Sequence, residues 1–167
     1  MSSITFSLEN CLPHKEYIKC GIKHQKYYFN NQKGFKAIFP IFTDDSFNKI
    51  NSLISDTVKE YSTYSDKTNC KKLVFTFCHK TDNYFSLLLE CYYRDYKRIK
   101  GINFDLSTML PLPANFLLKD LKVSKKKLKT VAKDKAVLYD SIHIFSDELR
   151  FFAQKNSTIS LLSFKKV

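Results

Sequence analysis

A chain of 167 residues closes one hydrophobic core, so a single domain over residues 1–167 is expected. A hydrophobic fraction of 44% argues against disorder, and 15 Phe and 10 Tyr beside three Gly and no Trp favour a sheet-containing core. The net charge of +12 attracts polyanions (nucleic acid, anionic membrane, cell-wall polymer) without choosing among them, and a Lys-rich bacterial genome gives the same surplus.

At the N-terminus, Ile4, Phe6 and Leu8 alternate with polar residues, as in a half-buried strand. This stretch has no basic leader, long apolar run or cleavage site, so the expectation is a cytoplasmic protein. Five Cys (11, 20, 70, 78 and 91) are an odd number and read as reduced thiols in a reducing compartment. Cys11, His14, Cys20 and His24 are four zinc-type donors, but their spacing matches no standard finger. Small buried cysteines and surface histidines are the simpler reading, so no metal and no cofactor are expected.

Lys26 to Asn30 and Phe35 to Phe42 read as strands around a turn at Asn30–Gly34, with Pro40 marking an edge or a bulge. Phe47, Ile50, Ile54, Val58 and Tyr61 recur at helical spacing behind the capping candidates Thr43, Asp44 and Asp45. Two strands then alternate through Leu73–Cys78 and Tyr84–Tyr93 across the turn Lys80–Asn83. Both faces are apolar, which places this hairpin mid-sheet. The tract is also far too short to span a bilayer, and no transmembrane segment is expected.

A charged loop, Arg94–Gly101, leads to a strand through Ile102, Phe104 and Leu106. Short helices follow at Phe116–Leu121 and from Ser124 to about Lys135, and closing strands at Glu148–Gln154 and Ile159–Lys165. The order predicts an α+β fold: a mainly antiparallel sheet packed against one long helix and a shorter lysine-rich helical segment.

Three segments stand in a familiar order: Phe35-Lys-Ala-Ile-Phe-Pro-Ile-Phe42 before Phe47-Asn-Lys-Ile-Asn51; Tyr84-Phe-Ser-Leu-Leu-Leu-Glu-Cys-Tyr-Tyr93; and Ile102-Asn-Phe-Asp-Leu-Ser-Thr-Met-Leu-Pro-Leu112. Over about residues 35–165 this resembles the domain shared by lysozyme-sensing anti-sigma factors and the non-catalytic region of bacterial peptidoglycan deacetylases. The resemblance implies a binding domain rather than an enzyme. Met109 stands where the family pattern has a glycine.

No catalytic centre is legible. Cys78 and His79 are neighbours on a strand and point to opposite faces, Cys91 and His143 sit in apolar surroundings, and the glycines at 21, 34 and 101 form no phosphate loop. The basic residues are more informative. Lys119 to Lys135 holds eight Lys and two Asp, half of the net charge of the chain. Lys125, Lys126, Lys129 and Lys133 are expected outward on the second short helix. Arg94, Lys97, Arg98 and Lys100 interleave with Tyr92, Tyr93 and Tyr96, a pattern suited to phosphates and unpaired bases. The expectation is a non-enzymatic binding domain with an acidic partner, an unidentified protein or polyanion. The alternative is a nucleic-acid-binding protein using the clusters at 94–100 and 119–135.

Overall fold

The computed structural model describes residues 22–30, 34–63, 70–145, 148–156 and 158–165. The Ile4–Leu8 strand and the donors Cys11, His14 and Cys20 lie outside the described residues. In chain order the elements are β1 (His24–Asn30), β2 (Lys36–Phe42), a 3-10 turn (Asp45–Phe47), α1 (Asn48–Thr63), β3 (Lys72–Lys80), β4 (Tyr84–Tyr92), β5 (Lys97–Asp105) and β6 (Leu110–Leu112). After them come α2 (Ala114–Asp120), α3 (Lys125–Ala132), β7 (Ala136–Phe145), β8 (Glu148–Lys155) and β9 (Thr158–Lys165). A six-stranded sheet follows chain order from β1 to β6, and a three-stranded sheet follows β7-β8-β9. The fold is α+β with antiparallel-rich sheets.

Three features differ from the sequence expectation. Among the described residues the strands form two sheets, not one. The longest helix there has 16 residues, which does not quite match the one long helix expected, and the two short helices of 7 and 8 residues are those that the apolar spacing predicted. Finally, β2 and β3 run parallel, in the register Lys36↔Lys72 to Ile38↔Val74. A parallel pair needs a crossover, and α1 lies between these strands in sequence. Consequently β2 is an inner strand, between β1 and β3, and not an edge. Pro40 is tolerated there because the ladder to β3 stops at Ile38.

The described residues group into two compact units. The first holds the residues up to Cys78 together with Leu89–Arg98. Its core forms because Phe47 of the 3-10 turn and Ile50, Ile54 and Val58 of α1 recur at helical spacing and are all buried, with Phe35, Phe39 and Phe42 of the β2 region. Full burial of such a side chain contributes about 1.5–3 kcal/mol. At the start of the helical region, Asp44 Oδ1 accepts from Ser46 N at 2.9 Å. Asn51 ties the helix to the end of β2: its Nδ2 donates to Phe42 O (2.9 Å) and its Oδ1 accepts from Phe42 N (2.8 Å). One amide side chain thus satisfies both backbone groups of Phe42.

The second unit holds His79–Leu88 and the described residues from Ile99 onward. Leu117, Leu118, Leu128, Ile142, Leu149 and Phe151 anchor its core. β7 passes so close to β5 that a Cβ on Gly101 would stand 2.1 Å from Ile142 O. A buried polar chain fixes that approach. Ser86 Oγ donates to Asn103 Oδ1 (2.6 Å), Asn103 Nδ2 donates to Ile142 O (2.7 Å), and Ile144 N donates to Ser86 Oγ (3.0 Å). The β7–β8 register shifts between Leu138 and His143. Within that bulge Ser141 Oγ donates to Leu138 O and accepts from Phe152 N, so backbone groups freed by the shift find a partner. α2 and α3 pack on β7, and α3 also on β9.

Candidate polyanion interface

The lysine segment is held outward by its few apolar residues. On α2, Leu117 and Leu118 are buried, and Leu121 and Val123 continue that anchoring through the link to α3. Ser124 caps α3 by accepting from Lys127 N at 3.2 Å, and only Leu128 and Ala132 of the helix are fully buried. Lys119, Lys122, Lys125, Lys126, Lys127, Lys129 and Lys133 are all exposed. The helix expected to reach about Lys135 stops at Ala132, because Lys133 turns to a φ of 58°.

What the nearby acids do decides the electrostatics. Asp120 accepts the Tyr84 hydroxyl. Asp134 pairs with Lys155, whose ammonium holds the Asp134 carboxyl below its usual range. Both carboxylates of the segment are therefore engaged by side chains outside it. Among the described residues, Lys119, Lys122, Lys126, Lys127, Lys129 and Lys133 have no ion pair with a carboxylate. Lys125 Nζ lies 5.1 Å from the centre of the Tyr139 ring, and Lys135 Nζ lies 3.1 Å from Ser160 Oγ. Three lysines at the N-terminal turn oppose the helix dipole, which is unfavourable for stability and available to an anion.

The second cluster is not the loop that its charges predicted. Tyr93 N donates to Tyr96 O at 2.8 Å, closing a tight turn, and β5 already begins at Lys97. Ile99, buried between charged neighbours, makes that stretch a strand. The aromatic and basic groups here largely engage one another. Tyr92 Oη donates to Glu90 Oε2 (2.6 Å) and Lys97 Nζ to Glu90 Oε1 (3.2 Å). Lys97 and Lys72 each place Nζ 5.7 Å from the Tyr92 ring centre. Tyr93 stacks on Tyr96 at 4.6 Å with the planes 8° apart. Burial and the Cys91 side chain raise the Tyr93 phenol, whereas Tyr96 is 59% exposed. Arg94 and Arg98 are exposed, and Lys100 on β5 is half-buried.

The remaining candidates do not form a reactive centre. Cys78 is buried and disulfide-bonded, which corrects the expectation of thiols only. Cys70 and Cys91 are buried thiols. The Cys91 contact and burial push the Cys70 thiol up, and burial does the same to the neighbouring Tyr61 phenol, so both stay protonated. A thiol in that state is a poor nucleophile. His79 lies against Phe145 with ring centres 4.6 Å apart, and burial lowers its imidazole. His143 is buried, as its apolar setting implied. His24 Nδ1 lies 2.7 Å from Ile22 O. Among the described residues no three His, Cys, Asp or Glu side chains group as a metal site.

Sequence reasoning gave too little weight to Lys119, Lys122 and Lys127, whose outward positions follow from the apolar residues flanking them. It missed Tyr139, on the unrecognised β7. No helix among the described residues is long and apolar enough to cross a membrane. No family model matches the chain, and comparison with curated proteins and with solved structures returned no match.

Proposed function

We propose that this chain is a non-enzymatic binding domain whose partner is acidic and docks on the lysines of α2, α3 and the link between them. The observation that carries this reading is the set of exposed lysines from Lys119 to Lys133 whose own acids are engaged elsewhere. A face of unneutralised cations on a short helix pinned by Leu128 and Ala132 gives an anionic partner several charge contacts at little ordering cost. The resemblance to the bacterial binding domain implies the same class of function: Asn51 of its Ile-Asn motif closes the end of β2, whereas Met109, at a φ of 57°, departs from the family's glycine.

A nucleic-acid partner is the second reading, favoured by the exposed Tyr96 ring beside Arg94 in sequence. Base stacking on that ring would add to phosphate contacts. Capture on immobilised heparin and on single-stranded DNA, next to a carboxylate-rich peptide, tests both readings. The proposal expects retention on every anionic matrix, lost on Lys126→Glu with Lys129→Glu. Retention that survives the double substitution contradicts it. Preference for DNA over heparin, lost on Tyr96→Ala, would favour the second reading.

A further inference from the structure

Between the β3–β4 turn and the start of β8, the core of the second unit opens into a cleft of about 220 Å³. Its walls are Tyr84, Leu121, Val123, Ile144, Leu149 and Phe164, all apolar apart from the Tyr84 hydroxyl, which is turned to Asp120. The wall residues Tyr84, Leu121 and Val123 keep 6–9% exposure, as expected where a packed core meets a cleft. An apolar cavity of about 150 Å³ admits a benzene ring, so this one takes a single ring or branched alkyl group and little more.

The charged lining is the reverse of the protein as a whole. The two ionisable groups apart from Tyr84 are Asp82 and Glu148, both carboxylates, in a chain whose net charge is +12. Glu148 Oε2 faces Arg150 Nε at 3.5 Å, and Arg150 in turn lies over the Phe145 ring at 3.8 Å. Asp82 is exposed on the turn and has no side-chain partner among the described residues. Lys122, between the lining residues Leu121 and Val123, is exposed and is not part of the wall.

From this combination we infer that the cleft binds a small amphipathic cation: one aromatic or branched alkyl body in the apolar pocket, with a protonated amine at its mouth against Asp82 and Glu148. The body supplies burial, and the carboxylates select the sign of the head group. The cleft borders the lysine face through the Leu121–Val123 link, but its charge preference is the opposite one.

The test uses 2-phenylethylammonium, with phenylacetate as the same body of opposite charge and ethylammonium as the head without the body. Titrations are followed by the NMR shifts of the Val123, Ile144 and Leu149 methyl groups at about 0.15 M salt, where long-range repulsion from the basic surface is screened. The inference expects 2-phenylethylammonium to move those methyls with an affinity on the order of millimolar, as its few atoms allow. Both controls should bind at least about tenfold more weakly. Asp82→Asn should weaken binding several-fold. Val123→Phe, checked for native circular dichroism, should fill the cleft and abolish binding. Equal binding of phenylacetate, unaltered binding to Asp82→Asn, shifts confined to other methyls, or no shift at millimolar ligand would each overturn it.

Discussion

The Tyr92–Lys100 hairpin and the Lys119–Lys135 segment are both rich in cations, and in sequence they look like equal candidates for an anion site. They differ in what surrounds the charge. In the hairpin, Glu90 draws in both Lys97 and the Tyr92 hydroxyl, and Tyr93 covers one face of Tyr96. Along α2 and α3 the acids face the other way, towards Tyr84 and Lys155, and the lysines are left to solvent. A count of basic residues therefore does not measure binding potential. What matters is whether neighbouring carboxylates have already taken the cations up.

That contrast can be broken most forcefully from beneath. The lysine helix rests on β7, and β7 is seated against Gly101. Gly101→Ala puts a methyl group into Ile142 O and is expected to cost about 3 kcal/mol or more, read from urea denaturation. Polyanion binding should fall in step with the folded fraction. A variant of unchanged stability would show that β7 is not seated there.

Acid attacks the same strand more gently. Burial, then Arg150 and His79, hold the His143 imidazole down at about 4, against about 6.5 in an unfolded chain. Between those values the unfolded state takes up a proton that the folded state refuses. Stability from this group is therefore complete above about pH 6.5 and falls as the pH drops towards 4, by roughly 3 kcal/mol. Denaturation midpoints measured across that range should decline, and His143→Gln should flatten the decline.

Charge reversal sharpens the comparison without touching the core. Lys126→Glu with Lys129→Glu should weaken heparin binding at least about tenfold, by fluorescence titration, while stability moves by less than about 0.5 kcal/mol. Lys97→Ala in the hairpin should do the least. Its ion pair with Glu90 is partly exposed, so the loss in thermal stability should stay below about 1 kcal/mol, and heparin affinity should change by no more than about twofold.

Much of this architecture was legible from local pattern. The alternation in β3 and β4 and the apolar spacing of α1 are single-period signals, and Leu73, Phe75, Phe85, Leu87, Leu89, Ile50, Ile54 and Val58 are buried where those periods place them. β7 was not legible. Asp140-Ser141 interrupts its alternation at the bulge, where the register slips and a period-2 count fails. The start of β5 was hidden by its charges, since only Ile99 among Lys97–Lys100 is buried. The parallel pairing of β2 with β3 depends on how the chain crosses over, which strand periodicity does not encode. For the candidate site, the outward lysines could be read from Leu128 and Ala132. That Asp120 and Asp134 would be engaged by Tyr84 and Lys155 could not, because those partners are distant in sequence.

The most direct test is the salt dependence of heparin affinity for the unmodified protein, for Lys126→Glu with Lys129→Glu, and for Arg94→Ala with Lys97→Ala. Each phosphate contact releases about 0.7–0.9 counterions and steepens the fall of log K with log salt by that amount on nucleic acid, and a comparable steepness is expected on heparin. The account predicts a steep slope that flattens only in the helix variant. A shallow slope for the unmodified protein, or one flattened as much by the hairpin variant, would contradict it.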